Sequence, residues 1–344
     1  IGFLYIFFFI FLYGIFTGSS PFSLWHMFVI FCLALGVAVY QWLDARYNGA
    51  DFILNRLNAK KPDPLDFYHK RLKDILEEVR LGAGYRKFIK LYVIPANAVN
   101  AFSIMENDGL PAIGVTEGAL ARLTREELQA VISHEMAHIM RGDTLFVTFA
   151  CSLGNFFEKL SDALQNDATS TPGSIFLNTG RASRKGGNAA GEFASRGIYF
   201  IFSLISVLIS REREYLADAT AIEYIRNPEA LARAILKAHK YYSYLGSAGE
   251  SYSPLFMISP ESRGAVKEET YMKKVTATHP PTMDRIKKMT SMSGNSILSL
   301  YRTIEEQDKK REEARKEIKS VDELSRGEES ESQESSSDQS KKSE

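Results

Sequence analysis

Two apolar runs open the chain. Residues 2–16 contain no charged side chain, and a second run at 24–43 follows the polar break at 17–21. The second run has the roughly 20 residues that a helix needs to cross a bilayer, and the first is near the lower limit. A cleaved signal peptide is the alternative for the first run, but that run lacks a basic start. We predict a transmembrane hairpin.

Basic residues are unevenly distributed around these runs. The loop between the runs has none, whereas several follow the second run closely: Arg46, Arg56, Lys60 and Lys61. Because positive charge is retained on the cytoplasmic side, the chain from residue 44 onwards is predicted to be cytoplasmic. The protein is therefore expected to be a multi-pass protein of the cell (inner) membrane, in contact with the lipid bilayer.

A small sheet and two helices are predicted next. Residues 64–82 have apolar side chains at helical spacing, and apolar extended runs follow at 91–95, 98–104 and 110–116. Asn107-Asp108-Gly109, between the last two runs, indicates a hairpin. The second helix begins at a capping box and ends at a glycine, as shown by Thr124, Glu127 and Gly142.

Two shorter apolar runs, 144–157 and 198–209, flank a Gly/Ser/Thr/Asn-rich stretch at 165–195 that is predicted to be a mobile loop. Either the runs form a second transmembrane hairpin, or they are helices buried in the domain or lying at the membrane interface. Their length of fourteen residues or fewer and the basic residues of the loop argue against a hairpin, whereas their uniform apolarity argues for one.

The predicted fold is α+β, mainly helical, with further helices over 211–225, from Pro228 to about 242, and through Ile286 and Met289. The polar end of the chain is expected to be disordered. The chain thus divides into a hairpin (1–43), the first part of a cytoplasmic domain (44–143), the two apolar runs with their loop (144–210), the second part of the domain (211–300) and a tail (301–344).

Composition excludes little beyond this outline. The chain is 45% hydrophobic and 24% charged with a net charge of 0, so it has no basic excess that would favour nucleic acid as a partner. Cys32 and Cys151 both lie in apolar runs, which argues against a disulfide framework and for a reducing compartment.

The chemistry is carried by His134-Glu-Met-Ala-His138 in the second helix. Four residues advance a helix by about 400°, so the two histidines project from one face, as two ligands of one metal ion require. Glu135 lies about 100° away, where it can reach a metal-bound water without being a ligand. The H-E-x-x-H pattern alone is a hypothesis that needs a third ligand.

A later helix offers three carboxylates as that ligand: Glu212, Glu214 and Asp218. A catalytic zinc keeps three protein ligands and one open position. Glu214 and Asp218 are one turn apart on one face, whereas Glu212 points elsewhere. Metal ligands usually need a neighbouring group that holds them in position. Glu214 as the ligand and Asp218 as such a neighbour meet this need. The alternative is that Glu214 and Asp218 are both charged residues on the solvent-exposed surface of the helix.

Three motifs in order resemble the membrane-bound zinc metalloproteases of the HtpX type, which are relatives of the CAAX prenyl endopeptidases. They are His134-Glu-Met-Ala-His138, Arg213-Glu214-Tyr215-Leu-Ala217-Asp218, and Thr278-His279-Pro280-Pro281 with Arg285; Asn100-Ala101-Phe102 also matches. The resemblance covers roughly residues 1–290. It implies a zincin-like protease domain, one Zn²⁺ per chain, Glu214 as the third ligand and a second membrane hairpin.

The expected reaction is peptide hydrolysis with Glu135 as the general base. His279, with Arg285 positioning it or the substrate, is the candidate donor to the oxyanion. Asn100, Ala101 and Phe102 lie on a predicted edge strand that could pair with an extended polypeptide substrate. By resemblance the substrates are misfolded or damaged membrane proteins. The alternatives are prenyl-protein processing and a non-catalytic membrane scaffold with a zinc site.

Overall fold

The structure is a computed structural model of the 344-residue chain, and it describes residues 24–152, 211–241, 252–258, 280–314 and 316–317. Two compact units divide the chain, one over residues 1–289 and one over 290–344. The first unit contains most of the described helices and one three-stranded sheet, so the predicted mainly helical fold with a small sheet is confirmed.

Helix α1 (Leu24–Arg56) is continuous through residue 44, where the cytoplasmic domain was predicted to begin. Its last turns are buried: Ala50, Ile53 and Leu54 pack in one apolar cluster with residues of the sheet. Part of the second apolar run and the start of the domain are therefore one helix.

No helix with described side chains has a stretch that is both long enough and apolar enough to cross a membrane. The first apolar run (2–16) and the run at 198–209 lie outside the described residues.

The sheet has the order β1-β3-β2. Strands β1 (Lys90–Ile94) and β3 (Pro111–Thr116) are parallel, whereas β2 (Ala101–Met105) is antiparallel to β3. The β2–β3 hairpin turns at Gly109, whose φ of 77° is accessible to glycine without strain. The predicted hairpin is confirmed, and β2 is left at one edge of the sheet.

The packing contacts of this unit identify its central helix. Helix α2 (Phe67–Gly82) and the short α3 (Glu117–Arg122) precede α4 (Arg125–Arg141), which packs against α2, β2 and two later helices, α5 (Arg211–Ile225) and α6 (Pro228–Lys240). A short 3-10 turn (Ser253–Leu255) and α7 (Thr282–Ser293) complete the described elements of this region. Helix α4 is therefore the central element.

Helix α4 has the ends that its sequence predicts. The Glu127 amide donates to Thr124 Oγ1 (3.3 Å), and Glu127 Oε2 accepts from the Thr124 amide (2.9 Å), which completes the capping box. Gly142 ends the helix with a φ of 77°. Glu127 is fully buried and also accepts from Lys237 Nζ of α6 at 2.6 Å, so the same carboxylate fixes α4 to α6.

Residues 143–152 form the next helical stretch, and its buried face is polar. Thr144, Thr148 and Ser152 recur at i, i+4 spacing. Thr144 Oγ1 lies 3.3 Å from Ser103 Oγ, and Thr148 Oγ1 accepts from the Met105 amide at 2.9 Å. A Cβ at Gly49 of α1 would collide with the Ser152 side chain. This stretch therefore packs tightly on both β2 and α1.

The predicted disorder of the tail is wrong at its start, because residues 301–314 are helical. Leu300 and Ile304 lie four residues apart on one face and are fully buried, so this largely polar helix has an apolar contact.

Candidate metal centre and active site

His134 and His138 lie one turn apart on α4, at its most buried part. His134 is fully buried, and the side chain of His138 is 15% exposed. Their Nε2 atoms are 3.2 Å apart and face the same point. The helix thus brings two imidazole nitrogens into the spacing of two ligands of one ion.

Helix α5 supplies a carboxylate to the same point. Glu214 Oε2 lies 3.6 Å from His134 Nε2, and Glu214 Oε1 lies 3.5 Å from His138 Nε2. Zinc bonds of about 2.0 to 2.1 Å at tetrahedral angles would place ligand atoms about 3.3 Å apart. The distance between the two Nε2 atoms, 3.2 Å, and the distances of 3.5 and 3.6 Å from them to the two Glu214 oxygens are close to this value. These three residues are the described group that could hold an ion.

The small side chains of α5 allow this approach. Ala217 and Ala221 are fully buried and lie on the same face as Glu214 and Asp218, so α5 can lie close to α4. Glu212, the remaining carboxylate of the motif, is not among the residues brought to the site.

A buried carboxylate and arginine support His134 from behind. Asp218 Oδ1 lies 3.0 Å from His134 Nδ1, and Arg285 donates to both Asp218 oxygens, at 2.8 and 2.7 Å. Burial lowers the pKa of His134, but Asp218 and Glu214 outweigh burial and raise this pKa to about 9. Burial would raise the pKa of Asp218, but Arg285 and His134 hold this pKa below its usual value.

Arg285 lies behind His134, in contact with Asp218. It was predicted to position His279 or the substrate, but it is only 2% exposed and its guanidinium is engaged with Asp218, with Glu214 at 3.6 Å and with the Met257 carbonyl at 2.9 Å. His279 lies outside the described residues.

Asp143 is a carboxylate that the sequence analysis missed. Its Oδ2 lies 3.4 Å from His138 Nδ1, so His138, like His134, faces a carboxylate from behind. Burial would raise the pKa of Asp143, but His138 and two nearby arginines hold it below its usual value. The sequence does contain a signal for this role, because Asp143 directly follows Gly142, the residue that ends the helix with the two histidines.

Glu135 is 1% exposed and lines a pocket of about 440 Å³, including the solvent at its mouth, together with His138 and Glu214. Burial raises the pKa of its carboxyl group, and the two histidines only partly offset this rise. The opposite wall of the pocket is mainly apolar, formed by Val147, Pro254, Leu255, Phe256 and Met257. The candidate base and an apolar wall thus line the same pocket.

The predicted substrate strand is covered where Asn100, Ala101 and Phe102 lie. The Met257 amide donates to the Ala101 carbonyl at 3.0 Å, and Asn100 Nδ2 donates to the Ile258 carbonyl at 2.7 Å. Phe102 is fully buried. Because the chain's own residues 256–258 occupy this edge, a substrate cannot pair there in this conformation.

The comparisons with known proteins identify one family and several similar proteins. The profile of peptidase family M48 matches residues 68–293, a range that includes His134, His138, Glu214 and Arg285. Protease HtpX homologs from Thermoanaerobacter pseudethanolicus and Caldanaerobacter subterraneus are each 32% identical over 278 residues, covering 78% of this chain and 86% of the relative. The crystal structure of S. mikatae Ste24p aligns with a TM-score of 0.41 and 16% identity, over 84% of this chain and 62% of that one.

Proposed function

This chain belongs to peptidase family M48 and is a metallopeptidase, and from that premise we propose that it is a membrane-bound, zinc-dependent endopeptidase. The observation that carries the proposal is the convergence of His134, His138 and Glu214 beside Glu135 in one pocket. Two imidazoles and one carboxylate form a typical three-residue set for a catalytic zinc, which leaves an open position for the reaction.

A bound zinc supplies Lewis acidity, which lowers the pKa of water to about 7 and polarises a peptide carbonyl. Glu135 takes the proton of the attacking water and delivers it to the leaving amine. Its position suits this role, because Glu135 follows the candidate ligand His134 and lines the same pocket as His138 and Glu214. His279 remains our candidate for stabilising the oxyanion.

We place the substrate's backbone at Ser103. In β2 alternate residues direct their amide and carbonyl to the same edge, so those of Ser103 point to the same side as the Ala101 carbonyl. This outer edge is covered at Ala101 by Met257 and at Met105 by Thr148. Ser103 lies between them and lines the pocket with Glu135. An extended polypeptide entering the pocket would meet the sheet edge at this residue.

The proposed substrates are misfolded or damaged membrane proteins, which would make the enzyme part of membrane quality control. The apolar runs that predict membrane spans and the predicted cytoplasmic position of the residues after 44 support this proposal, because such a site would lie near the bilayer. In this proposal Asn100, Ala101 and Phe102 do not bind the substrate themselves. They are the part of the strand that positions Ser103.

The test compares the wild type with Glu135→Gln and Glu214→Gln in a casein cleavage assay, with bound zinc measured in parallel. We expect Glu135→Gln to retain zinc and lose activity by several orders of magnitude, and Glu214→Gln to lose stoichiometric zinc. Activity that survives Glu135→Gln, or tight zinc binding without any cleavage by the wild type, would refute the peptidase mechanism and favour the scaffold alternative. Cleavage restricted to farnesylated peptides would favour prenyl-protein processing.

A further inference from the structure

Each candidate zinc-binding histidine has a carboxylate behind it, but the two supports differ. The support of His134 is enclosed, because the side chains of Asp218 and Arg285 are only 6% and 2% exposed. The carboxylate behind His138 is that of Asp143, and Asp143 lines the pocket. The sequence motifs include Asp218 and Arg285, which support His134. They assign no residue to the support of His138.

The turn after α4 places Asp143 behind His138. The Gly142 amide donates to the Ile139 carbonyl at 3.1 Å in a left-handed cap, which turns the chain back towards the preceding turn of the helix. Asp143, 7% exposed, follows immediately. Its Oδ2 faces His138 Nδ1 and also accepts from Arg141 Nε at 3.2 Å.

A second cation reaches Asp143 from α5. Arg213 NH1 lies 3.2 Å from Asp143 Oδ1, the oxygen that faces away from His138. Arg213 directly precedes Glu214, and adjacent residues of a helix point about 100° apart. Helix α5 can therefore direct Glu214 to the metal position and Arg213 to Asp143 at the same time.

We propose that Asp143 and Arg213 form a positioning pair for His138. Asp143 orients the imidazole so that Nε2 faces the metal position, and Arg213 holds Asp143 in register with α5. The inference rests on the proposed zinc site. Carboxylates behind metal-binding histidines fix the ring orientation and increase ligand basicity, and their loss typically weakens metal binding or activity by about 10- to 100-fold.

The experiment measures zinc affinity of the full-length protein in detergent, by competition with a chromophoric chelator. Asp143→Asn should weaken zinc binding by about tenfold, and Arg213→Gln by about threefold. The double variant should be no weaker than Asp143→Asn within about twofold, because Arg213 acts through Asp143. Arg213→Lys, which keeps the charge, should recover most of the affinity.

Arg125→Gln is the matched control, since it makes the same change on α4 at an exposed ion pair with Glu78. It should bind zinc like the wild type. Unchanged affinity in Asp143→Asn, or an Arg213→Gln effect that adds fully in the double variant, would overturn the inference.

Thermal unfolding of the metal-free proteins checks folding. If Asp143→Asn does not fold, Arg213→Gln decides alone, because its side chain is 35% exposed and its replacement leaves the core intact. Unchanged zinc affinity in that variant overturns the pair. If the wild type binds no zinc, both this inference and the proposed function are wrong. If Glu135→Gln remains active, only the proposed peptidase mechanism is wrong.

Discussion

Replacing Lys237 with methionine tests whether the buried carboxylate that caps α4 also fixes that helix to α6. Glu127 and Lys237 are both fully buried, with a 2.6 Å contact. Removing one partner of a buried ion pair typically costs about 3 to 5 kcal/mol. Glu127 would keep the Thr124 amide at 2.9 Å and Arg233 Nε at 3.3 Å. We therefore expect Lys237→Met to lower the free energy of unfolding by about 3 kcal/mol, the lower end of that range.

The assay is denaturant unfolding of the zinc-loaded protein, followed by thermal unfolding, where such a loss lowers Tm by roughly 6 to 12 °C. Glu127→Gln/Lys237→Met should recover at least half of the lost stability, because glutamine preserves the capping box and no charge is left unpaired. Glu229→Gln, which removes a more exposed partner of Arg233, is the control and should lose less than about 1 kcal/mol.

Zinc affinity at low temperature should not change in Lys237→Met, since Glu127 lies seven residues, or about 10 Å along the helix, from His134. A loss below about 1 kcal/mol would refute the reasoning, and so would a double variant as unstable as the single one.

Three further changes have defined outcomes. Arg285→Lys should weaken zinc binding by about tenfold, because lysine cannot reproduce the two-point contact with Asp218, and Arg285→Gln should weaken it further; wild-type affinity in a chelator competition would contradict this. Gly118→Ala should destabilise the protein by about 2 to 3 kcal/mol in denaturant unfolding, because its Cβ would collide with backbone carbonyls at 97 and 98, whereas Gly82→Ala, with open space around it, should be nearly neutral. Asn100→Ala removes both hydrogen bonds between the Asn100 side chain and the Ile258 backbone, so limited proteolysis within residues 252–258 should become faster. An unchanged cleavage rate would count against this anchoring role.

Local signals predicted the parts of the site that lie within one element. The capping box of α4, its glycine end and the hairpin at Gly109 depend on residues three to five positions apart, so the sequence alone determines them. The shared face of His134 and His138 follows from helix geometry. The choice of Glu214 over Glu212 used the same geometry on α5.

Contacts between distant segments could not be predicted in this way. Asn100 and Ile258 are 158 residues apart, and residues 252–258 have no periodicity that would identify them as the cover of a strand edge. The side-chain contact between Asp143 and Arg213 likewise depends on how two helices pack. The polar face of 143–152 was overlooked because its three hydroxyl residues are few within a largely apolar run.

The helical stretch 143–152 joins two regions of the molecule mechanically. At about 1.5 Å per residue it is a stiff rod of about 15 Å, with Asp143 behind His138 at one end and Ser152 pressed against Gly49 of α1 at the other. A displacement of α1 at Gly49 would therefore act on the same stiff stretch that holds Asp143 behind His138. Gly49→Ala, whose Cβ would collide with Ser152, is expected to change zinc affinity through this stretch.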